Sequence, residues 1–234
     1  MKSCISDCRE CVNFKNGVFK NLSNKALKEI SKFKVNNFYK KGQTIFHEGR
    51  VSFGFYCIKS GKVKLEKIMM FNDRRFIYKI ANPTELIGYQ SFFMGEKYSE
   101  TAEALEDTTV CFFNKDLFYY FINEEKNFAF EIFNLMTKNL NYLLNKSRDL
   151  ACKPVKERFI DLLIELQKLY GVKQADGTIK INISLTRNEL SSMLGATTET
   201  TVRVISNFVA ENIIETRKKK IYIKDLRIIF DNLN

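Results

Sequence analysis

The chain has 234 residues, 45% apolar and 28% charged, with only 2 Pro, which excludes a disordered or fibrous polymer and leaves one large domain or two modest ones. Its first residues are polar, and no stretch approaches the roughly 18–20 apolar residues of a membrane span, so the expected location is cytoplasmic with no membrane partner. A net charge of +11 favours polyanions without identifying one, because a solvated Lys-rich face gives the same balance.

In chain order, the first segment (1–18) opens "MKSCISDCREC", with Cys4, Cys8 and Cys11. Thiols stay reduced in the cytoplasm, so a disulfide framework is not expected. Metal ligation, a redox switch and plain burial all remain open. Cys57 and Cys152 read as structural.

From about 35 to 114 short β-rich runs alternate with turns at Gly42, Gly49, Gly61, Gly88 and Gly95. That punctuation predicts a small antiparallel sandwich or barrel, the core of a sensor domain over 19–115. His47, the one histidine, falls in a turn of this region. A Ser-His-Asp, Cys-His or histidine-metal catalytic site is thereby excluded unless it contains His47 itself.

A helical tract without Pro or Gly follows from about Asp116 to Leu150. Ala129, Phe133, Met136, Leu140, Leu143, Ser147 and Leu150 repeat at alternating steps of four and three, the seam of a two-stranded dimer helix. A helix packed on its own domain would show a wider apolar face. Segment 116–153 is therefore the predicted dimerisation helix, and Pro154 ends it.

Residues 154–234 give a helix (155–170), a loop "YGVKQADGT", a short strand (179–183), two helices and a hairpin. That is the order of a winged helix-turn-helix. Thr186 with Glu189 is a capping box, and Leu190, Met193 and Leu194 form the buried side. Gly195 makes the turn and Thr197 caps the second helix. Val202, Ile205 and Val209 are its expected inner face; Thr198, Glu199, Thr201 and Arg203 are its expected outer face. Arg grips guanine O6 and N7, and Glu accepts from cytosine N4. As an i,i+4 pair, Glu199 and Arg203 could also simply stabilise the surface by about 0.2–0.5 kcal/mol. Thr186, Arg187 and Thr197 complete the candidate DNA contacts of the two helices.

From about Phe19 the chain resembles the Crp/Fnr family of bacterial transcription regulators. "YKKGQTIFHEG" and "YCIKSGKVKL" are similar to the family's cyclic-nucleotide-binding β-roll, and "LTRNELSSMLGATTETTVRVISNF" to its helix-turn-helix. The resemblance implies an α+β fold: an N-terminal, jelly-roll-like antiparallel β-roll, a long dimerisation helix and a C-terminal winged helix-turn-helix. It places Glu199 and Arg203 on base-reading positions, and Arg217, Lys218, Lys219 and Lys220 on the wing, where they would meet phosphates. It further implies a homodimer on a palindromic operator, RNA polymerase as a partner, and no enzymatic activity.

The family's cyclic-AMP pocket uses a Gly-Glu pair and an Arg-Ser pair. The matching positions here are Gly88, Tyr89, Tyr98 and Ser99, with no guanidinium for the cyclic phosphate. A cyclic nucleotide is therefore not the expected effector, although Lys97 could act as a substitute cation. Oxygen sensors of the Fnr branch hold a [4Fe–4S] cluster on an N-terminal cysteine set and a fourth cysteine on the β-roll. Likeness to that branch implies Cys4, Cys8, Cys11 and Cys111 as its ligands. Gly17 stands where the N-terminal set often has a further cysteine. Zinc, a thiol–disulfide switch and a regulator with an effector but no metal are the alternatives. So, from other classes, are a thiol–disulfide redox protein using "CREC" and a ligand-binding module without DNA function.

Overall fold

The computed structural model describes residues 8, 11, 17–68, 75–95, 97–217 and 220–224. Cys4, Lys218 and Lys219 lie outside the described residues. The chain forms two compact units that divide at Asn141 and Tyr142.

The first unit runs through helix α1 (Asn24–Phe33), then strands β1 (Val35–Tyr39), β2 (Thr44–Phe46), β3 (Gly54–Ser60), β4 (Val63–Ile68), β5 (Arg75–Ala81) and β6 (Leu86–Ile87). A five-residue helix α2 (Tyr89–Phe93), strands β7 (Thr101–Ala104) and β8 (Thr108–Asn114), helix α3 (Lys115–Glu124) and the start of α4 (Lys126–Cys152) complete it. The strands make two antiparallel sheets, ordered β1-β8-β3-β6 and β2-β7-β4-β5, the β-roll expected from the glycine-punctuated runs.

Side-chain alternation sets which face each residue serves. Ile58, Ile87 and Val110 of the first sheet meet Phe46, Val63, Leu65, Ala81 and Ala102 of the second in an inner core. Phe55, Cys111 and Phe113 point the other way, into an outer core with Phe19, Ile30, Leu117, Phe118, Phe121, Phe128 and Ile132, and Cys57 packs against it. Phe118, Phe121 and Phe128 are at most 1% exposed, and each such burial stabilises by about 1.5–3 kcal/mol.

The predicted helix over 116–150 is two helices. Glu125 leaves helical geometry at φ −121°, ψ 84°, while its N–H closes α3 on the Phe121 carbonyl. The Glu125 carboxylate accepts from the hydroxyl and the N–H of Ser23, the residue that caps α1. The break turns Phe118 and Phe121 of α3 and Phe128 and Ile132 of α4 onto one core. Beyond it α4 is continuous, and its heptad stripe is uncovered: Phe133 is 66% exposed, Leu140 59% and Leu143 42%, with Met136 and Leu150 also exposed.

The second unit takes the last turns of α4, then α5 (Val155–Tyr170), β9 (Gly171–Lys173), β10 (Ile179–Ile181), α6 (Arg187–Leu194), α7 (Thr198–Ala210), β11 (Ile214–Arg217) and β12 (Lys220–Ile223). The strands form one sheet, β11-β12-β10-β9. The stretch expected to be a loop after α5 is thus half of a hairpin, with Val172 opposite Lys180. The strand expected to reach Ile183 ends at Ile181, though Ile183 remains buried. Tyr142 and Lys146 of α4 both reach Glu165 of α5, at 3.3 Å each.

Gly54 shows how closely the first sheet is drawn together: a Cβ there would lie 2.0 Å from the Phe113 carbonyl oxygen. Gly54→Ala should therefore lower stability by about 1–3 kcal/mol. Urea unfolding followed by circular dichroism measures this, and an unchanged midpoint would contradict the close approach.

Candidate nucleic-acid interface and thiol site

The two helices of the second unit are positioned by short polar links. Thr186 and Glu189 exchange capping-box hydrogen bonds at the start of α6. Gly195 ends α6 in the left-handed region at φ 59°, and a Cβ there would meet Leu150 Cδ2 at 2.6 Å. Arg158 of α5 donates from Nε to the Leu194 carbonyl at 2.9 Å and from Nη1 to the Lys153 carbonyl at 2.7 Å. This guanidinium fixes the end of α6 to the start of α5. Nothing in the local sequence around Arg158 signals that role, because its partners are 36 and 5 residues away.

Thr197 caps α7 by accepting from the Thr200 N–H at 3.1 Å. The Thr198 hydroxyl lies 3.2 Å from Asn188 Oδ1 and 3.3 Å from Ser191 Oγ, so it ties the first turn of α7 to α6. Asn188 was not among the residues picked out from the sequence. Glu199 and Arg203 are exposed on successive turns of α7. Among the described residues neither side chain holds an ion pair or hydrogen bond, so the surface pair allowed by their spacing is not formed.

One side of α7 differs from expectation. Thr201 is 0% exposed, and the inner face is Thr201, Ile205 and Phe208. Val202 and Val209, expected inside, are each 41% exposed. Thr201 therefore cannot touch DNA, and Val202 takes its place beside Glu199 and Arg203. The phase moves because Phe208, the larger apolar side chain, packs edge-on against Phe159 of α5, with ring centroids 5.2 Å apart. Val202 presents methyl groups of the kind that contact a thymine methyl.

Thr186 is exposed at the start of α6, and Arg187 is half-buried. On the wing Arg217 is held locally: its Nη2 donates to Glu215 at 2.8 Å, and its guanidinium carbon lies 4.9 Å from the centre of the Tyr222 ring. The Arg217 hydrogen bond keeps the Glu215 carboxyl below its ordinary range. Lys220 donates to Asn182 at 3.0 Å.

In the first unit, the positions of the nucleotide pocket are filled by protein. Tyr89 is 1% exposed, and its hydroxyl accepts from Asn139 of α4. Tyr98 stacks on Phe46 at 4.2 Å and donates to the Gly54 carbonyl at 3.0 Å. Burial pushes both phenols up, so they stay neutral. A Cβ at Gly88 would sit 2.9 Å from the Tyr98 ring. The Ser99 N–H donates to Ser91 Oγ at 2.9 Å. Lys97 lines an open cleft of about 610 Å³ together with Tyr98, Ser99, Glu48 and Lys115.

The thiols gather on the outer face of the first sheet. Cys8 is buried in the outer core, its N–H on Ser31 Oγ at 3.1 Å and its sulfur accepting from Lys34 Nζ at 3.0 Å. The Cys11 N–H closes a turn on the Cys8 carbonyl at 3.2 Å. Cys111 is buried and lies 3.2 Å from Asn36 Oδ1. Burial raises its thiol to about 11, Lys34 pulling it down and Cys8 and Cys11 pushing it up. Cys57, set aside from the sequence as structural, faces Cys111 across the β3–β8 pairing. Burial, and then Cys111, Cys11 and Cys8 in that order, hold its thiol well above the ordinary range. Cys152 is exposed at the end of α4. Among the described residues no group of three or more His, Cys, Asp or Glu side chains is placed to hold a metal ion.

The Cyclic nucleotide-binding domain family matches residues 36–125, and the Crp-like helix-turn-helix domain family matches residues 157–228. The chain is similar to the CRP-like cAMP-activated global transcriptional regulator of Mycobacterium tuberculosis (22% identity; 89% of this chain, 92% of the relative). It is similar also to the Anaerobic regulatory protein of Bacillus subtilis (28% identity; 73% and 71%). Among solved structures, FixK2 from Bradyrhizobium japonicum superposes with a TM-score of 0.72 at 21% identity, over 85% of this chain and 96% of that one. Among the described residues no helix is long and apolar enough to cross a membrane.

The buried Thr201 hydroxyl has no hydrogen-bond partner among the described residues. Thr201→Val should raise the stability of the second unit by about 1 kcal/mol and leave DNA affinity unchanged. Thermal unfolding and a binding titration on the same preparation test this, and a loss of affinity would return Thr201 to the interface.

Proposed function

The chain belongs to the Crp/Fnr family of transcription regulators, and from that premise we propose a homodimer that reads a palindromic operator and responds to oxygen or redox state rather than to cyclic AMP. The single observation that carries the DNA part is the exposure of Glu199 and Arg203, without an ion pair or hydrogen bond among the described residues, on the first turns of a helix whose start is fixed by Gly195, Thr197 and Thr198. Arg203 supplies a two-pronged donor to guanine and Glu199 an acceptor for cytosine, with Val202 between them for a thymine methyl. Thr186 and Thr197 stand at helix starts, where hydroxyls and N–H groups meet phosphates. On the wing, Arg217 must exchange Glu215 for a phosphate, so it contributes less than an unpaired arginine would.

The uncovered stripe of α4 supports the dimer. Phe133, Met136, Leu140, Leu143 and Leu150 lie along one line at heptad spacing, and a second copy of the same helix would cover it. Two recognition helices then address half-sites about one helical turn apart.

The signal rests on the thiols and on the filled pocket. Tyr89 and Tyr98 occupy the positions that would hold a ribose and a cyclic phosphate, and they bring no cation. Cys8 and Cys111 lie in the outer core and Cys11 follows Cys8 in one turn. These, with Cys4 outside the described residues, are the thiols that likeness to the Fnr branch assigns to a [4Fe–4S] cluster, though the described thiols are not placed as a metal-binding group. When bound, the cluster supplies an oxygen-labile, redox-active centre. Lys34 places a cation beside these thiolates, and Phe19, Phe113 and Phe118 exclude water from one side of them. Cys111 joins the outer core to the sheet, so a change at the thiols reaches Leu117 and Phe118 of α3 and Phe128 of α4 through packed side chains.

Two measurements test this reading. Against a selected operator, Arg203→Ala should lose about 1–3 kcal/mol of discrimination at one base pair per half-site, while its binding to random DNA changes little. If it prefers the parent's operator as strongly as before, Arg203 does not read bases. Cyclic AMP at about 1 mM should leave operator affinity within twofold of its value without nucleotide. A tenfold gain would make the tyrosine-filled pocket a nucleotide site after all.

A further inference from the structure

Glu100, the residue before β7, places a carboxyl inside the first unit at 2% exposure. Tyr78 of β5 donates its hydroxyl to Oε2, and Oε1 is buried without a hydrogen-bond partner among the described residues. An ionised carboxylate so placed gives up its hydration for a single side-chain donor, which favours the neutral acid. Burial raises the Glu100 carboxyl above the ordinary range. The Tyr78 hydroxyl, the Gly88 backbone, Lys67 of β4 and Lys79 of β5 pull it back only in part.

The charge of Glu100 is felt at Tyr89 of α2, together with that of Glu85. Tyr89 accepts from Asn139 Nδ2 of α4 at 2.5 Å, and Asn139 Oδ1 accepts from Lys79 Nζ at 3.1 Å. Lys79 is also ion-paired with Glu85. While Glu100 is neutral, Lys79 serves Glu85 and Asn139 and ties α4 to the sheet. Once Glu100 ionises, an unpaired buried charge competes for the same ammonium.

We propose that Glu100 is a proton-operated switch: its neutral form leaves α4 held to the β-roll through Lys79, Asn139 and Tyr89, and its ionised form draws Lys79 away and loosens α4. The effect on DNA rests on the dimeric reader of the preceding subsection, because the heptad stripe lies on the same helix; the titration of Glu100 does not. A carboxyl raised in the folded chain contributes stability that is full at low pH and is lost as pH rises through its folded value.

The test compares the full parent chain with Glu100→Gln, which keeps the shape of the neutral acid and never ionises, at constant salt between about pH 5 and pH 8. His47 titrates in both and cancels. The unfolding midpoint of the parent should fall relative to Glu100→Gln by about 2–4 °C across this range. Operator affinity of the parent should fall at least about fivefold relative to the variant over the same range. Tyr78→Phe leaves Glu100 in place but removes its donor, and should move both falls to higher pH. A midpoint difference that is the same at both ends shows that Glu100 keeps its charge and overturns the proposal. A difference that grows while operator affinity follows one pH profile in both chains overturns the coupling to α4. A parent that binds no operator at any pH overturns the DNA reading, and the midpoints still report the proton on Glu100.

Discussion

The turn between α6 and α7 is the constraint on which the DNA-facing surface depends. Gly195 adopts φ 59° where a Cβ would strike Leu150, so the chain reverses in less space than any other residue allows. Arg158 then fixes the end of α6 through two backbone carbonyls, and Thr198 ties the start of α7 to Asn188 and Ser191. With both ends set, the direction of Glu199 and Arg203 is a property of the fold. Side chains aimed in advance lose less entropy when they meet a base than side chains on a loose loop.

The first unit uses its outer core in a comparable way. The sheet face carrying Phe55, Cys57, Cys111 and Phe113 is covered by α1, α3 and the start of α4, and the break at Glu125 lets two helices cover one face. The same layer holds the thiols and the root of the helix that carries the heptad stripe. Packed layers of this kind shift between discrete arrangements rather than deforming smoothly. Tyr89 is buried where the nucleotide-binding positions match and joins them to α4 by accepting from Asn139.

Local chemistry was legible in the sequence wherever a residue acts on near neighbours. The Thr186–Glu189 capping box, the Gly195 turn, the Thr197 cap and the end of α4 before Pro154 all follow from the local sequence alone. The phase of α7 was not legible, because Val202 and Val209 read as inner residues by apolarity. Phe208 decides the phase through Phe159, which is 49 residues earlier in the chain. The break at Glu125 leaves no Pro or Gly, and its cause is Ser23, about a hundred residues away. Arg158 was silent because its partner carbonyl on Leu194 lies 36 residues away and meets it only in the folded unit.

The central claim is that Glu199 and Arg203 face base-pair edges twice, once from each subunit. Methylation interference on a duplex selected from random DNA tests it directly, since methyl on guanine N7 blocks a two-pronged arginine. The account predicts two symmetric guanines, about 10–10.5 base pairs or a multiple of that apart, whose methylation blocks the parent but not Arg203→Ala. Interference confined to a single site, or unchanged in Arg203→Ala, would contradict it.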